Sequence, residues 1–182
     1  MQHFSDAWDV IKDDLVAWVL FGFVWSLTLG VGIGFFLMPN ALRTIRRAVN
    51  DGTKPDINGL FNFDDIAPDA ILMGVQLVIG IVGMLCCCVG YWVVSVLFFW
   101  LPHLAADGHT DPATVLKTSM AHTKSNIGSV VVFMLVAAVI NFVAAICCYF
   151  GSLLTTPLTL VAFHLFYEAE KEAIAAAGQG IQ

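Results

Sequence analysis

Three long stretches of this chain contain no charged side chain, and they limit its fold more than any other feature. They run over 15–38, 70–106 and 127–167 and contain 24, 37 and 41 residues. A helix needs about 20 apolar residues to cross a bilayer. The first stretch is therefore long enough for one span, and each of the other two is long enough for two spans joined by a tight turn.

Composition supports a membrane location. Hydrophobic residues make up 59% of the 182 residues and charged residues only 12%, whereas a soluble domain carries about 25% charged residues. We predict one all-α integral membrane domain, a helical bundle of about five transmembrane segments arranged as a single helix followed by two hairpins. The predicted spans are 15–38, 70–87, 89–106, 127–147 and 151–167.

The longest polar break in the second half, 104–126, separates the two predicted hairpins. Thr110 or Asp111 can cap a helix N-terminus, and Pro112 suits the first turn because its missing N–H costs nothing there. We predict an interfacial amphipathic helix over 112–124 that lies on the inner membrane surface. Its membrane-facing residues would include Val115, Leu116 and Met120. A solvated linker with a helix cap is the alternative interpretation.

Basic residues predict the orientation, because loops on the cytoplasmic side are enriched in Lys and Arg. Four of the eight basic residues, Arg43, Arg46, Arg47 and Lys54, lie in the loop 39–69, which we therefore predict to be cytoplasmic. The side of the N-terminus stays open. A single span over 15–38 would place it outside. A break at the glycines near position 32, followed by a return of the chain, would leave it inside.

Two loops carry a resemblance to a known group. The polar break 104–126, which connects the two predicted hairpins, has an Asp-Gly turn, a Leu-Lys-x-Ser helix and a Lys-x-Asn entry to the next span. The loop 50–65 reads "NDGTKPDINGLFNFDD". Both resemble loops of a widespread group of uncharacterised bacterial multi-pass membrane proteins, which are similar to the membrane domain of glycerophosphodiester phosphodiesterases. The resemblance implies a helical protein of a bacterial membrane, the inner one by default, and no catalytic residues.

The five cysteines lie at the two predicted hairpin turns, in "CCCVG" and "CCYFGS". They are Cys86, Cys87, Cys88, Cys147 and Cys148. Three interpretations are open: apolar packing, a disulfide on the outer face, and a metal or redox site. Adjacent cysteines on a helix point in different directions and chelate one ion poorly, and cysteine packs well as a small apolar residue.

Small and polar residues inside the apolar stretches predict how the helices pack. Gly30 and Gly34 have the GxxxG spacing of closely packed helices, and Gln76 and Asn141 are predicted to form an interhelical hydrogen bond. His164 is interpreted as a packing residue, with a proton relay as the alternative. Trp18, Trp100 and other aromatic residues near the span ends are predicted to form an interfacial belt. They include Trp8, Trp92 and Tyr167.

No nucleophile–base pair, paired carboxylates, phosphate-binding glycine loop or metal-ligand motif is found in the sequence, so an enzyme and a bound cofactor are not expected. No basic run indicates nucleic-acid binding. We predict a scaffold that binds membrane lipids, forms homo-oligomers and organises the membrane. A membrane protein is a further possible binding partner. The alternative is a small transporter, a channel or an accessory subunit of one.

Overall fold

The structure, a computed structural model, describes residues 2–64, 66–86, 88–146 and 149–179. Only helices and their connections occur in these ranges. The helices are α1 (Gln2–Ile11), α2 (Leu15–Gly30), α3 (Met38–Asp51), α4 (Ile66–Cys86), α5 (Cys88–Leu97), α6 (Leu101–Ala106), α7 (Pro112–Ser125), α8 (Ile127–Ile146) and α9 (Tyr149–Gln179), with short 3₁₀ turns at Lys12–Asp14 and Ile57–Phe61. The predicted all-α class is confirmed.

The long helix α9 organises the fold. It packs against α1, α2, α3, α7 and α8, while α4 packs along α5 as a hairpin. Pro157 is accommodated inside α9 without ending it. The helix continues about a dozen residues beyond the span predicted to end at position 167, and this extension is where α7 lies alongside it.

Two helices of the described residues, α4 over Ile66–Leu85 and α8 over Ile127–Ile146, are long and apolar enough to cross a bilayer. Only 22% and 17% of their apolar windows are buried inside the protein. The core helix of a soluble protein would be mostly buried, because water penalises large exposed apolar surfaces. These two helices therefore indicate membrane association.

Two predicted spans are wrong as continuous helices. The span 89–106 is divided into α5 and α6 by a turn at 98–100, and the span 15–38 is divided as well. α2 ends at Gly30, and the chain turns through 31–37 before α3 begins. The Gly34 amide donates to the Thr28 carbonyl at 2.8 Å, and a side chain on Gly34 would meet the Leu29 backbone at 2.6 Å. A side chain on Gly30 would have no neighbour within 4 Å. Gly34 thus serves the turn, and neither glycine packs against another helix within the described part of the chain.

The turn reverses the chain direction. Lys54, just after α3, pairs with Asp14 at the start of α2, with Nζ and Oδ1 3.0 Å apart. At 1.5 Å per residue each of these helices is more than about 20 Å long, so their far ends can meet only if the chain doubles back. This is the arrangement considered above in which the chain breaks near position 32 and returns.

The two long hairpins close in the same way. In α4–α5, Gly83 and Gly90 stand so close that a side chain on either would press on the backbone of the other. In α8–α9, a side chain on Gly151 would lie 2.5 Å from the Ala144 carbonyl oxygen. The members of each pair are seven residues apart in the sequence, on either side of a cysteine-containing segment, which agrees with the similarity between "CCVG" and "CCYFG".

Candidate functional site: a polar layer at the base of the hairpins

Arg43 of α3 is the centre of a buried ion pair. Its guanidinium binds both carboxylate oxygens of Asp69, at 2.5 and 3.0 Å, and also donates to Asn40 Oδ1 at 3.0 Å. The remaining donors reach the Ala106 carbonyl at 3.1 Å and the Ala105 carbonyl at 3.0 Å. All five N–H groups of the arginine are therefore used. The interaction joins α3 to the start of α4 and the end of α6, which no lysine could do with its single ammonium group.

Asp107 is the centre of a second cluster in the same layer. Arg46 binds its Oδ1 atom, and the Tyr167 hydroxyl donates to Oδ2 at 2.7 Å. Lys171 approaches Oδ2 at 3.3 Å. The Asp107 side chain is only 12% exposed, so these partners offset the cost of its burial. The cluster fixes the end of α6 between α3 and α9.

Two buried histidines lie beside this cluster. His103 and His164 are each 2% exposed, and their ring centroids are 6.3 Å apart. Both ring nitrogens of His103 and Nε2 of His164 have no hydrogen-bond partner in the described part of the chain. A cavity of about 10 Å³ adjoins both rings, Asp107 and Tyr167, and this is about the space that one water molecule needs.

A third polar contact joins α7 to α9. His122 Nε2 lies 3.2 Å from Glu170 Oε2, which also accepts from Asn126 Nδ2 at 3.3 Å. The His122 ring is buried beside Trp100, 5.6 Å between ring centroids. Burial lowers the pKa of His122 because it disfavours the charged imidazolium, and this exceeds the opposing effect of Glu170.

A pocket of about 320 Å³ opens between α6, α7 and the extension of α9. Asp107, Lys171 and Tyr167 form part of its wall, so the second cluster can be reached from outside the protein. The rest of the lining comes from Leu104, His109, Thr114, Val115, Thr118, Ile174, Ala175 and Gly178. Across the described ranges, no three His, Cys, Asp or Glu side chains are placed to hold a metal ion.

The predicted connector helix is present as α7 and is capped as expected, with Asp111 accepting from the Thr114 amide at 3.0 Å. The side predicted to be apolar faces the protein core and not the membrane surface. Val115 is buried, but Leu116 and Met120 are only partly buried, and they pack against the protein core. The buried positions also include Thr118, Ser119, His122 and Thr123. Small polar residues face inward because α7 packs closely against α5 and α9, with Ser119 Oγ donating to the Leu97 carbonyl at 3.0 Å.

The predicted hydrogen bond between Gln76 and Asn141 is wrong. Asn141 Nδ2 donates to Thr159 at 2.9 Å, and its Oδ1 accepts from Thr155 at 3.1 Å. Asn141 is satisfied within its own hairpin because the two threonines lie one helical turn apart on α9. Gln76 Oε1 is buried in α4 without a partner among the described residues.

The predicted aromatic belt is wrong for Trp18, Trp100 and Tyr167, which are buried, and stays a prediction for Trp8 and Trp92. Trp8 and Trp92 are 43% and 61% exposed, but Trp18 and Trp100 are almost fully buried. Tyr167 is also buried, in a cluster of aromatic rings with Phe99, Trp100, Phe133, Phe163 and Phe166. Many of the aromatic side chains therefore pack against each other within one chain.

Cys87, Cys147 and Cys148 lie outside the described residues, and the side chains of Cys86 and Cys88 are not described. The three interpretations of the cysteines therefore stay predictions. In contrast, the ion-paired layer is well defined but was missed from sequence. A signal existed: Asp69 and Asp107 are the two acids that flank the 37-residue charge-free stretch, and both pair with an arginine of α3.

Comparison with known proteins returned no further identification. No protein-family model matches the chain, and no curated protein or solved structure matches it either. The resemblance to bacterial multi-pass membrane proteins therefore stays a prediction.

Proposed function

We propose that this protein is a non-enzymatic, multi-pass membrane scaffold that binds lipids and associates with copies of itself in a bacterial inner membrane. The observation that carries this proposal is the exposure of large apolar side chains along the outer parts of the hairpins. Leu85, Phe142 and Ile146 are 81%, 68% and 69% exposed. Such surfaces are stable next to lipid chains or another apolar helix, but not next to water.

In this arrangement α4 and α8 cross the bilayer. The chain returns through α5 and α6 together, because α5 alone has only 10 residues, and through the first part of α9. The polar layer lies at the cytoplasmic face. α2 has 16 residues and is about 24 Å long, shorter than the roughly 30 Å apolar thickness. It enters the membrane and returns through the turn at 31–37. The five predicted segments thus become four crossings and one re-entrant segment, with the N-terminus on the side of the polar layer.

Self-association is supported by a stripe of apolar residues on α2. Val16, Leu20, Phe23 and Leu27 are 83%, 50%, 41% and 51% exposed. Their spacing of four, three and four residues places them on one face of the helix, as in helices that pack side by side. A groove of about 360 Å³ beside the stripe is lined by Leu15, Val16, Val19, Leu20, Phe23 and Leu153. A helix from a second copy would fit along this face.

Cross-linking in native membranes tests the proposal. In a chain whose own cysteines are replaced by serine, Leu20→Cys should give disulfide-linked dimers. Val132→Cys, which is 58% exposed on α8, is the matched lipid-facing control and should give few. A lone 19.7 kDa protomer for both variants, and after gentle extraction, would exclude self-association. Release of the protein by alkaline carbonate would exclude the membrane scaffold altogether.

A small transporter or an accessory subunit of one is the second candidate. It is favoured by Gln76 Oε1 in the candidate span α4, a buried polar atom that has no partner among the described residues. Polar groups at membrane depth often line a path for solutes or protons. Reaction of Gln76→Cys with a water-soluble thiol reagent would support this candidate, whereas protection of that residue supports the scaffold.

A further inference from the structure

We infer that a small cavity between α3 and the loop 57–62 binds the phosphate group of an anionic phospholipid. The inference rests on the proposed function, since it names the class of lipid that the scaffold holds. The cavity measures about 30 Å³. Its lining residues are Asn40, Arg43, Thr44, Arg47, Gly59 and Asn62. The space equals about two water-sized groups, enough for two phosphoryl oxygens but not for a whole headgroup.

The charge of the cavity favours an anion. Arg43 is neutralised by Asp69 and has no free donor, as described above. Arg47 is exposed, and no carboxylate among the described residues pairs with it. It is therefore the positive charge available to a ligand. A guanidinium binds phosphate oxygens through two parallel N–H bonds, with a geometry that a lysine lacks.

The walls of the cavity are held in place before any ligand arrives. Asn40 donates to the Asn62 carbonyl at 2.5 Å and to the Leu60 carbonyl at 3.3 Å. Its amide oxygen accepts from Arg43. The amide nitrogen of Asn40 thus holds the loop against α3, while its amide oxygen holds the Arg43 guanidinium in place. A site whose donors need no rearrangement loses less entropy when a ligand binds.

Gly59 keeps the cavity open. A side chain on this glycine would lie 2.5 Å from Thr44 Oγ1. Thr44 is only 4% exposed, so its hydroxyl has little room to move away. The glycine therefore leaves the Thr44 hydroxyl available to a group that enters between the loop and α3, which a larger residue would prevent.

The position of the cavity selects a lipid as the source of the phosphate. Phe61 and Phe63, on the same loop, are 41% and 56% exposed. The candidate span α4 begins at Ile66, only three residues after Phe63. Aromatic side chains next to the start of a span mark the headgroup region. The cavity is thus within reach of the phosphates of the inner leaflet.

The test uses the purified full-length protein, stripped of lipid in detergent and titrated with phosphatidylglycerol, with binding followed by native mass spectrometry. Arg47→Gln and Gly59→Ala should each weaken binding about tenfold, as expected for the loss of a charge-assisted hydrogen bond. Lys54→Gln is the matched control. It removes the same charge from an exposed side chain between α3 and the loop and should change binding less than about twofold.

Two further additions separate the sources of phosphate. Inorganic phosphate that competes with phosphatidylglycerol would assign the site to phosphate as such. Diacylglycerol, which has no phosphate, should not bind to this site. Equal binding by Arg47→Gln, Gly59→Ala and the parent chain would overturn the inference. Because Gly59→Ala could disturb the loop, the exposed Arg47→Gln variant decides the matter. The scaffold proposal survives that failure, since carbonate extraction and cross-linking test it separately.

Discussion

The outer ends of the two hairpins and their bases consist of the same helices but are held together in different ways. At the outer ends, Gly83 meets Gly90 and Ala144 meets Gly151 in close backbone contact, and large apolar side chains face outward. At the bases, Arg43 and Arg46 bind Asp69 and Asp107. In lipid, helices gain nothing from excluding water and must associate through close packing. Near water, ion pairs can be satisfied and can specify position.

The comparison predicts the largest loss of stability at the base. Asp69→Ala leaves Arg43, whose side chain is 16% exposed, as a buried charge without its partner. We expect the free energy of unfolding to fall by about 3–5 kcal/mol, measured by denaturant titration in detergent micelles. Asp9→Ala, which breaks the exposed pair with Lys12, should leave stability nearly unchanged. Equal effects of the two variants would mean that the buried pair does not hold the base.

The outer ends should be sensitive to side-chain size. Gly90→Ala places a methyl group against the Gly83 carbonyl oxygen and should lower the free energy of unfolding by about 1–3 kcal/mol. Gly74, in the same hairpin, has nothing within 4 Å of its side-chain position. Gly74→Ala should therefore stabilise α4 slightly, by up to about 1 kcal/mol. Thermal unfolding of both variants in micelles measures the difference, and a loss of stability in Gly74→Ala would show that α4 has a close neighbour there.

Substitution of the two polar residues within the hairpins, Asn141 and Gln76, should lower the free energy of unfolding by different amounts. Asn141→Leu removes the contacts with Thr155 and Thr159 and should cost about 1 kcal/mol, as is usual for hydrogen bonds between membrane helices. Gln76→Leu should cost nothing, because Oε1 of Gln76 has no partner in the described residues. The same unfolding assay compares them. A clear loss in Gln76→Leu would reveal a partner in a second copy or a bound solute.

The smallest effect is a pH dependence at the contact between α7 and α9. Burial lowers the pKa of His122 below its ordinary value of 6.5, so the unfolded chain binds the proton more readily than the folded one. The contribution of His122 to stability is thus complete above about pH 6.5 and is lost as the pH falls. Unfolding midpoints from pH 8 to pH 5 should decline less in His122→Gln than in the parent chain. His109→Gln, at an exposed position, should follow the parent chain, and an unchanged slope in His122→Gln would contradict the prediction.

Several predictions from sequence were wrong for a common reason. To predict the break in the span 15–38, the partners of Gln76 and Asn141, and what α7 packs against, one must know which helices are neighbours. In a helix that is apolar on all sides, the spacing of apolar residues does not indicate which face contacts a neighbouring helix. The hydrophobic stretch 15–38 likewise contains no signal for a turn except its glycines, which GxxxG packing explains equally well.

The sequence by itself determined the helical class, the apolar runs of α4 and α8, and the capped helix after Asp111. These features depend on local properties, namely runs of apolar residues and a capping side chain. Only the tertiary structure decided that Asp69 and Asp107 would pair with α3, that Asn141 would bind two threonines of its own hairpin, and that Arg47 would face a cavity. Each of these contacts joins residues distant in the chain, and its geometry is set by the packing of whole helices.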